Sequence, residues 1–253
     1  MGFLAIIGGS GSRHFDDSEA SPGRAAQTPY GATSAAIRRL TLAGHEILYL
    51  PRHGVGHRIP PHRVNYRANL WALKEAGADR VVGLAAVGGI AAGLGPRSFA
   101  IPHQVIDYTY GRDQSFHEGG ESGVLHVDFS DPYCGELRAL LVAACAATGV
   151  SVLDRAVYGV TQGPRLETAA EILRLQRDGC DLVGMTGMPE AVLARELGLC
   201  YASLAFVVNW AAGKDQGPIR MDEIERHLRH CMERVAAILA ALVQMGSQTR
   251  GEA

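Results

Sequence analysis

Short apolar segments bounded by glycine recur along the chain, and they constrain its fold more than any other feature. They lie at residues 4–7, 47–50, 80–84, 157–160, 181–183 and 202–208. Continuous apolar segments of this length are typical of strands that are buried on both faces. We therefore expect six largely buried strands.

Helical patterns lie between these strands, at residues 65–76, 136–148, 168–178 and 189–197. Glycine follows several of them closely, as is common at helix C-termini. The last segment, 222–245, has apolar residues at helical spacing, and Asp222 with Glu225 predicts a capping box at its start. Strands that alternate with helices indicate an α/β layer architecture.

The composition indicates one folded domain without a polyanionic partner. The chain has 253 residues, of which 47% are apolar and 20% are charged, so we expect a single domain, residues 1–253, with a core at about 4–245. A formal net charge of −2 provides no broad positive field, and we expect no binding to nucleic acid or membrane. Residues 16–36 and 111–123 are rich in glycine, serine and charge, which predicts loops.

The five cysteines are odd in number and form no C-x-x-C pair; they are Cys134, Cys145, Cys180, Cys200 and Cys231. This pattern favours reduced thiols over disulfides or a zinc site. The first residues lack a secretory signal, and no segment approaches 18 uninterrupted apolar residues. We expect a cytoplasmic protein.

A glycine-rich turn follows the first predicted strand, at residues 8–12. Such a turn can direct backbone N–H groups and the Ser10 hydroxyl at a phosphate. It lacks the spacing of a dinucleotide fingerprint and the lysine of a P-loop. A tight turn without a ligand remains an equal interpretation of this segment alone.

Arg52 and His53 follow the second predicted strand, within a segment rich in arginine, histidine and proline. A guanidinium there can bind phosphate through paired, charge-assisted hydrogen bonds. His53, His57 and His62 also raise the question of a metal ion, but glycines and prolines separate them and no carboxylate lies among them. We expect no metal, and a solvated structural loop remains the alternative.

Six segments in order resemble the trimeric purine nucleoside phosphorylase and methylthioadenosine phosphorylase family: residues 8–11, 52–54, 64–73, 163–165, 185–190 and 201–203. The resemblance extends from about Leu4 to Gln244. It implies a single α/β domain with a mixed, twisted sheet flanked by helices. It also implies a homotrimer that uses inorganic phosphate as co-substrate and needs no metal or organic cofactor.

The resemblance also assigns the site residues. It implies phosphate binding by Ser10, Arg52, His53, Ala85, Ala86 and Thr186. Met185 and Thr186 then lie against the ribose, and Leu166 lies under the base, where related enzymes often carry phenylalanine. His53 and Asn209 are the expected catalytic residues.

Three positions indicate a 6-oxopurine. Asn209 stands where the adenine-cleaving members have aspartate, and Ala211 replaces their second aspartate. An amide can accept a hydrogen bond from a protonated N7 and donate one to a 6-oxo group. Glu167 matches the glutamate that accepts the N1 proton, which adenine lacks. Taken singly, Glu167 is also explained as a helix N-terminal carboxylate and Asn209 as a strand-end cap.

The expected 5' pocket is apolar. Met221 and Ile224 fall where methylthionucleoside enzymes carry apolar residues, whereas ordinary purine nucleoside phosphorylases have a histidine near Met221. A shifted alignment places His227 there instead. His126 resembles a histidine that reaches a neighbouring subunit's 5' pocket.

The resemblance thus predicts phosphorolysis of S-methyl-5'-thioinosine to hypoxanthine and 5-methylthioribose 1-phosphate. Alternatives within the class are an inosine and guanosine phosphorylase and a methylthioadenosine phosphorylase. A non-catalytic nucleoside-binding protein is the alternative from another class.

Overall fold

A mixed eight-stranded sheet organises the molecule. The computed structural model describes residues 2–11, 24–120 and 123–251, with side chains through 246. Within these ranges the strands are β1 Phe3–Gly8, β2 Gln27–Thr28, β3 Gly31–Ala32, β4 Arg38–Leu42, β5 His45–Pro51, β6 Ala78–Gly89, β7 Phe99–Asp107, β8 Val152–Val160, β9 Leu182–Gly184 and β10 Cys200–Trp210. The helices are α1 Tyr66–Glu75, α2 Gly135–Ala147, α3 Ala169–Arg177, α4 Gly187–Glu196 and α5 Met221–Gly251.

Part of the sheet closes on itself. The strand order is β10-β7-β8-β9-β6-β1-β5-β4, and β10 also pairs with β6. Strands β5, β1, β6 and β10 run parallel, whereas β4, β7 and β9 each pair antiparallel with one neighbour. The expected mixed sheet flanked by helices is confirmed. The closed ring of β6, β10, β7, β8 and β9 was not foreseen from the sequence.

Helices cover both faces of the sheet, which explains the continuous apolar segments. In β1, Ala5 and Ile7 pack in the core that contains residues of α1 and α4. Leu4 and Ile6 pack in the core that contains residues of α2 and α5. Alternate side chains enter opposite cores, so a strand of this kind has no polar face.

All six expected strands and all five expected helices are present, with bounds that differ by a few residues. The sequence reading missed β4, an edge strand of alternating exposure, and β7, which carries proline, histidine and glutamine. The capping box expected at Asp222 is wrong, because α5 begins at Met221 and Asp222 lies inside its first turn, where its carboxylate accepts a hydrogen bond from Arg220 Nε. A capping box is formed instead by Thr168 and Glu171 on α3.

The expectation of fully reduced cysteines is also wrong. Cys134 and Cys200 form a disulfide, because the start of α2 lies beside the start of β10 although 66 residues separate them. Cys145, Cys180 and Cys231 are free and buried.

The two predicted loops lie partly outside the described residues. The described part of residues 16–36 contains the short β2–β3 hairpin where a loop was expected. The described part of residues 111–123 contains no strand or α-helix. Among the described residues, no helix is long and apolar enough to cross a membrane.

Candidate active site

A cavity of about 470 Å³ opens where β1, β5, β6 and β10 end. Ligands of open α/β sheets bind outside the carboxyl ends of parallel strands, so this is the expected location. The cavity brings together twelve residues singled out from the sequence: Ser10, Arg52, His53, Ala86, Leu166, Glu167, Met185, Thr186, Asn209, Ala211, Met221 and Ile224. Ala85 is buried in β6 between two lining residues, and His126 lies on an exposed segment away from the cavity lining.

A buried ion pair holds Arg52 at one end of the cavity. Its Nε and Nη2 each donate to one carboxylate oxygen of Glu190 at 2.8 Å, and its Nη1 donates to the backbone oxygen of Leu84 at 2.8 Å. Burial alone would lower the pKa of Arg52, but the charge and hydrogen bonds of Glu190 raise it above its usual value. A guanidinium has five N–H groups, so two remain for an anion.

Glu190 receives a second support from β10. The Tyr201 hydroxyl donates to Glu190 Oε2 at 2.8 Å. A β-carbon on Gly83 would lie 2.3 Å from the Tyr201 oxygen and 2.8 Å from Glu190 Oε2, so only glycine fits there. Sequence reasoning gave Glu190 no role. A carboxylate within the apolar segment 185–190 was the available signal, since a buried acid needs a basic partner.

The glycine turn after β1 approaches this arginine closely. A β-carbon on Gly9 would lie 2.8 Å from the backbone oxygen of Leu84 and 3.0 Å from Arg52 Nη1. The turn therefore carries Ser10 to the same end of the cavity as Arg52. Sequence position alone does not predict this approach, because Arg52 lies 43 positions after Gly9 in the chain.

His53 is neutral at physiological pH. Burial, the charge of Arg52 and nearby His57 lower the pKa of His53 to about 3, although the bond to Ile59 opposes this. The distance from Nδ1 to the backbone oxygen of Ile59 is 2.8 Å. Because a carbonyl only accepts, the neutral ring carries its proton on Nδ1 and keeps Nε2 as an acceptor.

Glu167 and Asn209 line another part of the cavity. Glu167 Oε1 accepts from the Thr161 hydroxyl at 2.5 Å, which orients the carboxylate and leaves Oε2 available. Asn209 Nδ2 donates to the backbone oxygen of Trp210 at 2.7 Å. One amide hydrogen and the amide oxygen of Asn209 therefore remain for a ligand.

A β-bulge in β10 directs Asn209. Val207 pairs with Val87 and Asn209 pairs with Gly88, so Val208 is an extra residue between them. Bulges redirect side chains and are frequent beside active sites. Both Val208 and Asn209 consequently line the cavity, although consecutive strand residues ordinarily face opposite sides.

The start of α5 provides an apolar wall. Met221, Ile224 and Leu228 line the cavity there, and Met221 is 63% exposed. His227 lies outside the lining residues, and its Nδ1 is 2.9 Å from the backbone oxygen of Val208. The alternative alignment, with His227 in the pocket, is not what the structure shows.

Among the described residues, no three His, Cys, Asp or Glu side chains are grouped so as to hold a metal ion. Comparison with known proteins identifies the family and its fold. The family model described as "Phosphorylase superfamily" matches residues 3–244. The chain belongs to the phosphorylase superfamily.

Individual members of the superfamily are similar over nearly the whole chain. A probable S-methyl-5'-thioinosine phosphorylase of Pseudomonas syringae pv. tomato is 54% identical, covering 96% of this chain and 99% of its own. A 6-oxopurine nucleoside phosphorylase of Pyrococcus furiosus is 40% identical, over 96% and 92%. The structure of methylthioadenosine phosphorylase from Schistosoma mansoni with adenine has a TM-score of 0.91 at 31% identity, covering 98% and 93%.

Proposed function

We propose that this phosphorylase cleaves S-methyl-5'-thioinosine with inorganic phosphate, giving hypoxanthine and 5-methylthioribose 1-phosphate. One observation carries the proposal: a single cavity is lined by a buried arginine–histidine pair, by Glu167 and Asn209, and by the apolar residues of α5. These three groups match the three parts of the reaction. Relatives named for this substrate and for 6-oxopurine nucleosides support it.

Arg52, His53 and Ser10 bind the phosphate in this proposal. The two unused N–H groups of Arg52 donate to phosphate oxygens, and Ser10 adds a hydroxyl. Neutral His53 accepts a hydrogen bond from the remaining P–OH group of inorganic phosphate through Nε2. Thr186 also lines the cavity and is the further phosphate ligand in this proposal. Holding the nucleophile in place removes a large part of the entropic barrier.

Asn209 and Glu167 bind the departing base. The glycosidic bond breaks through an oxocarbenium-like state, which leaves positive charge on the ribose and negative charge on the purine. Asn209 donates its free hydrogen to the 6-oxo group and accepts a hydrogen bond from N7–H once N7 has taken a proton from solvent, while Glu167 accepts a hydrogen bond from N1–H. A preorganised donor of this kind contributes about 3–4 kcal/mol.

The methylthio group lies against the start of α5. Met221, Ile224 and Leu228 present apolar side chains to the cavity. A 5'-hydroxyl needs a polar partner, whereas a methylthio group gains from burial against such residues. His227 lies outside this lining, which favours the methylthio substrate over inosine.

Turnover of three nucleosides tests the substrate assignment. With saturating phosphate, we expect kcat/KM for methylthioinosine to exceed that for inosine and that for methylthioadenosine. If methylthioadenosine were cleaved fastest, the assignment of a 6-oxo base would be wrong. If inosine were cleaved fastest, the assignment of a 5'-methylthio group would be wrong. Nucleoside binding without any release of base would instead indicate a non-catalytic binding protein.

We also propose a homotrimer. The segment that carries His126 also exposes the apolar side chains of Val124 and Leu125, which are 73% and 43% accessible. Exposed neighbouring apolar residues are suited to an interface with a second copy. We expect sedimentation equilibrium to give three times the 26.9 kDa chain mass; a monomer would contradict the proposal.

A further inference from the structure

Arg112 lies in the segment between β7 and α2 and donates hydrogen bonds to neutral acceptors of two distant parts of the chain. Its Nη1 donates to the backbone oxygens of Met185 at 2.8 Å and Met188 at 2.6 Å. Its Nη2 donates to the backbone oxygens of Gln162 at 2.8 Å and Thr161 at 3.3 Å. Its Nε donates to the side-chain oxygen of Gln162 at 3.1 Å.

The acceptors belong to the two segments that present the base-binding and ribose-binding residues. The base segment, residues 161–168, continues from these carbonyl groups to Glu167. The ribose segment, residues 185–188, contains Met185 and Thr186, which line the cavity. Arg112 itself lies outside the lining residues, so it contacts the supports of the site.

A third segment of the cavity lining meets the other two at the same place. Arg112 Nη1 is 3.4 Å from the Tyr66 hydroxyl, which donates to the backbone oxygen of Pro61 at 3.0 Å. Gly163, at a φ of 61°, has no space for a side chain: a β-carbon would lie 2.4 Å from Met185 Sδ and 2.9 Å from Pro61 Cγ. The three segments are therefore in direct contact beside Arg112.

The geometry requires arginine at this position. A guanidinium presents its N–H groups in one rigid plane, which allows simultaneous bonds to carbonyl groups from separate segments. A lysine ammonium has only three donors around one atom and cannot reproduce this arrangement. A side chain that keeps only the positive charge therefore cannot hold both segments at once.

We propose that Arg112 is a positioning residue: it fixes the base segment relative to the ribose segment, and so sets the distance between the purine and the ribose without touching either. The kinetic part of this inference rests on the proposed phosphorolysis. The mechanical part, that Arg112 orders both segments, does not.

The substitution Arg112→Lys tests the kinetic part. We expect the nucleoside KM to rise about tenfold and kcat to fall about 10²-fold, with a smaller rise of the phosphate KM, about threefold, because Arg52 and Ser10 lie outside both segments and only Thr186 of the phosphate-binding residues lies within one of them. If Arg112 only stabilised the fold, the variant would not change kcat and the nucleoside KM more than the phosphate KM. Unchanged kcat and nucleoside KM would overturn the inference.

Arg67→Lys is the matched control. Arg67 anchors the same connecting segment through Asp113 at 2.7 Å, Glu118 at 2.8 Å and the backbone oxygen of Ser115 at 3.3 Å, and it has no assigned role in the site. We expect near wild-type kinetics for this variant. An equal loss in both variants would show that the segment as a whole matters, which overturns the specific role of Arg112.

Amide hydrogen exchange tests the mechanical part independently of any substrate. We expect Arg112→Lys to accelerate exchange at both 161–168 and 185–188, and Arg67→Lys to leave both unchanged. Protection that stays at the wild-type level in Arg112→Lys would overturn the inference. If the wild-type protein cleaves no nucleoside, the proposed function fails and the exchange result still decides the role of Arg112.

Discussion

Glu190→Gln is expected to lower the free energy of unfolding by about 3–5 kcal/mol, because it leaves the Arg52 guanidinium buried without its counter-charge. Arg52 is 1% exposed and Glu190 is fully buried. The amide of glutamine also directs a donor at a guanidinium that can only donate. Equilibrium urea unfolding at fixed protein concentration measures the loss, which should move the midpoint with little change in slope.

Glu46→Gln is the control for this prediction. Glu46 pairs with Arg39 at 2.5 Å, but the two side chains are 48% and 55% exposed. Exposed pairs contribute at most about 1 kcal/mol, so the control should unfold nearly as the wild type does. If both variants lost the same small amount of free energy of unfolding, the buried pair would not be what supports Arg52 at the phosphate end of the cavity.

Asn209→Ala is expected to reduce kcat for methylthioinosine by about 10²–10³-fold, because it removes the group that stabilises charge on the departing purine. The phosphate KM should change little, since Arg52 and Ser10 are untouched. Steady-state kinetics with each substrate varied in turn measures both quantities. A kcat within a few fold of wild type would show that another group stabilises the base.

Asn209→Asp separates the two roles of the amide. A carboxylate can accept from N7 but cannot donate to a 6-oxo group, so the preference for methylthioinosine over methylthioadenosine should fall by about tenfold. The loss should therefore be selective for the base, unlike that of Asn209→Ala. An unchanged preference would assign base reading to Glu167 alone.

The strands that carry the site could be predicted because they are apolar on both faces. The resemblance to the phosphorylase family then assigned Arg52, His53 and Asn209 to one predicted site. The partners of these residues could not be predicted. Glu190 meets Arg52 across 138 residues of chain, and Arg112 binds carbonyl groups, which leave no sequence signal. The extra residue at Val208 is likewise set by pairing with β6.

The two strands that the sequence did not predict, β4 and β7, show the same limit. In β4, arginines and a threonine alternate with leucines over only five residues, and the periodicity is too short to distinguish a strand from a loop. In β7, Pro102 interrupts an apolar segment, yet the strand persists because a register shift on either side of the proline accommodates it. Both β4 and β7 therefore form because they pair with neighbouring strands, which the local sequence does not reveal.

Closure of the strand ring has a consequence for synthesis of the chain. Strand β10, residues 200–210, is the last of the described strands to be made, and it inserts between β6 and β7. A ribosome-bound chain that ends before β10 leaves one side of β7 and much of one side of β6 without a partner, and such edges promote association between chains. Unpaired strand edges are therefore exposed between translation of β6 and release of β10, and the cavity is completed only after β10 and the start of α5 have been made.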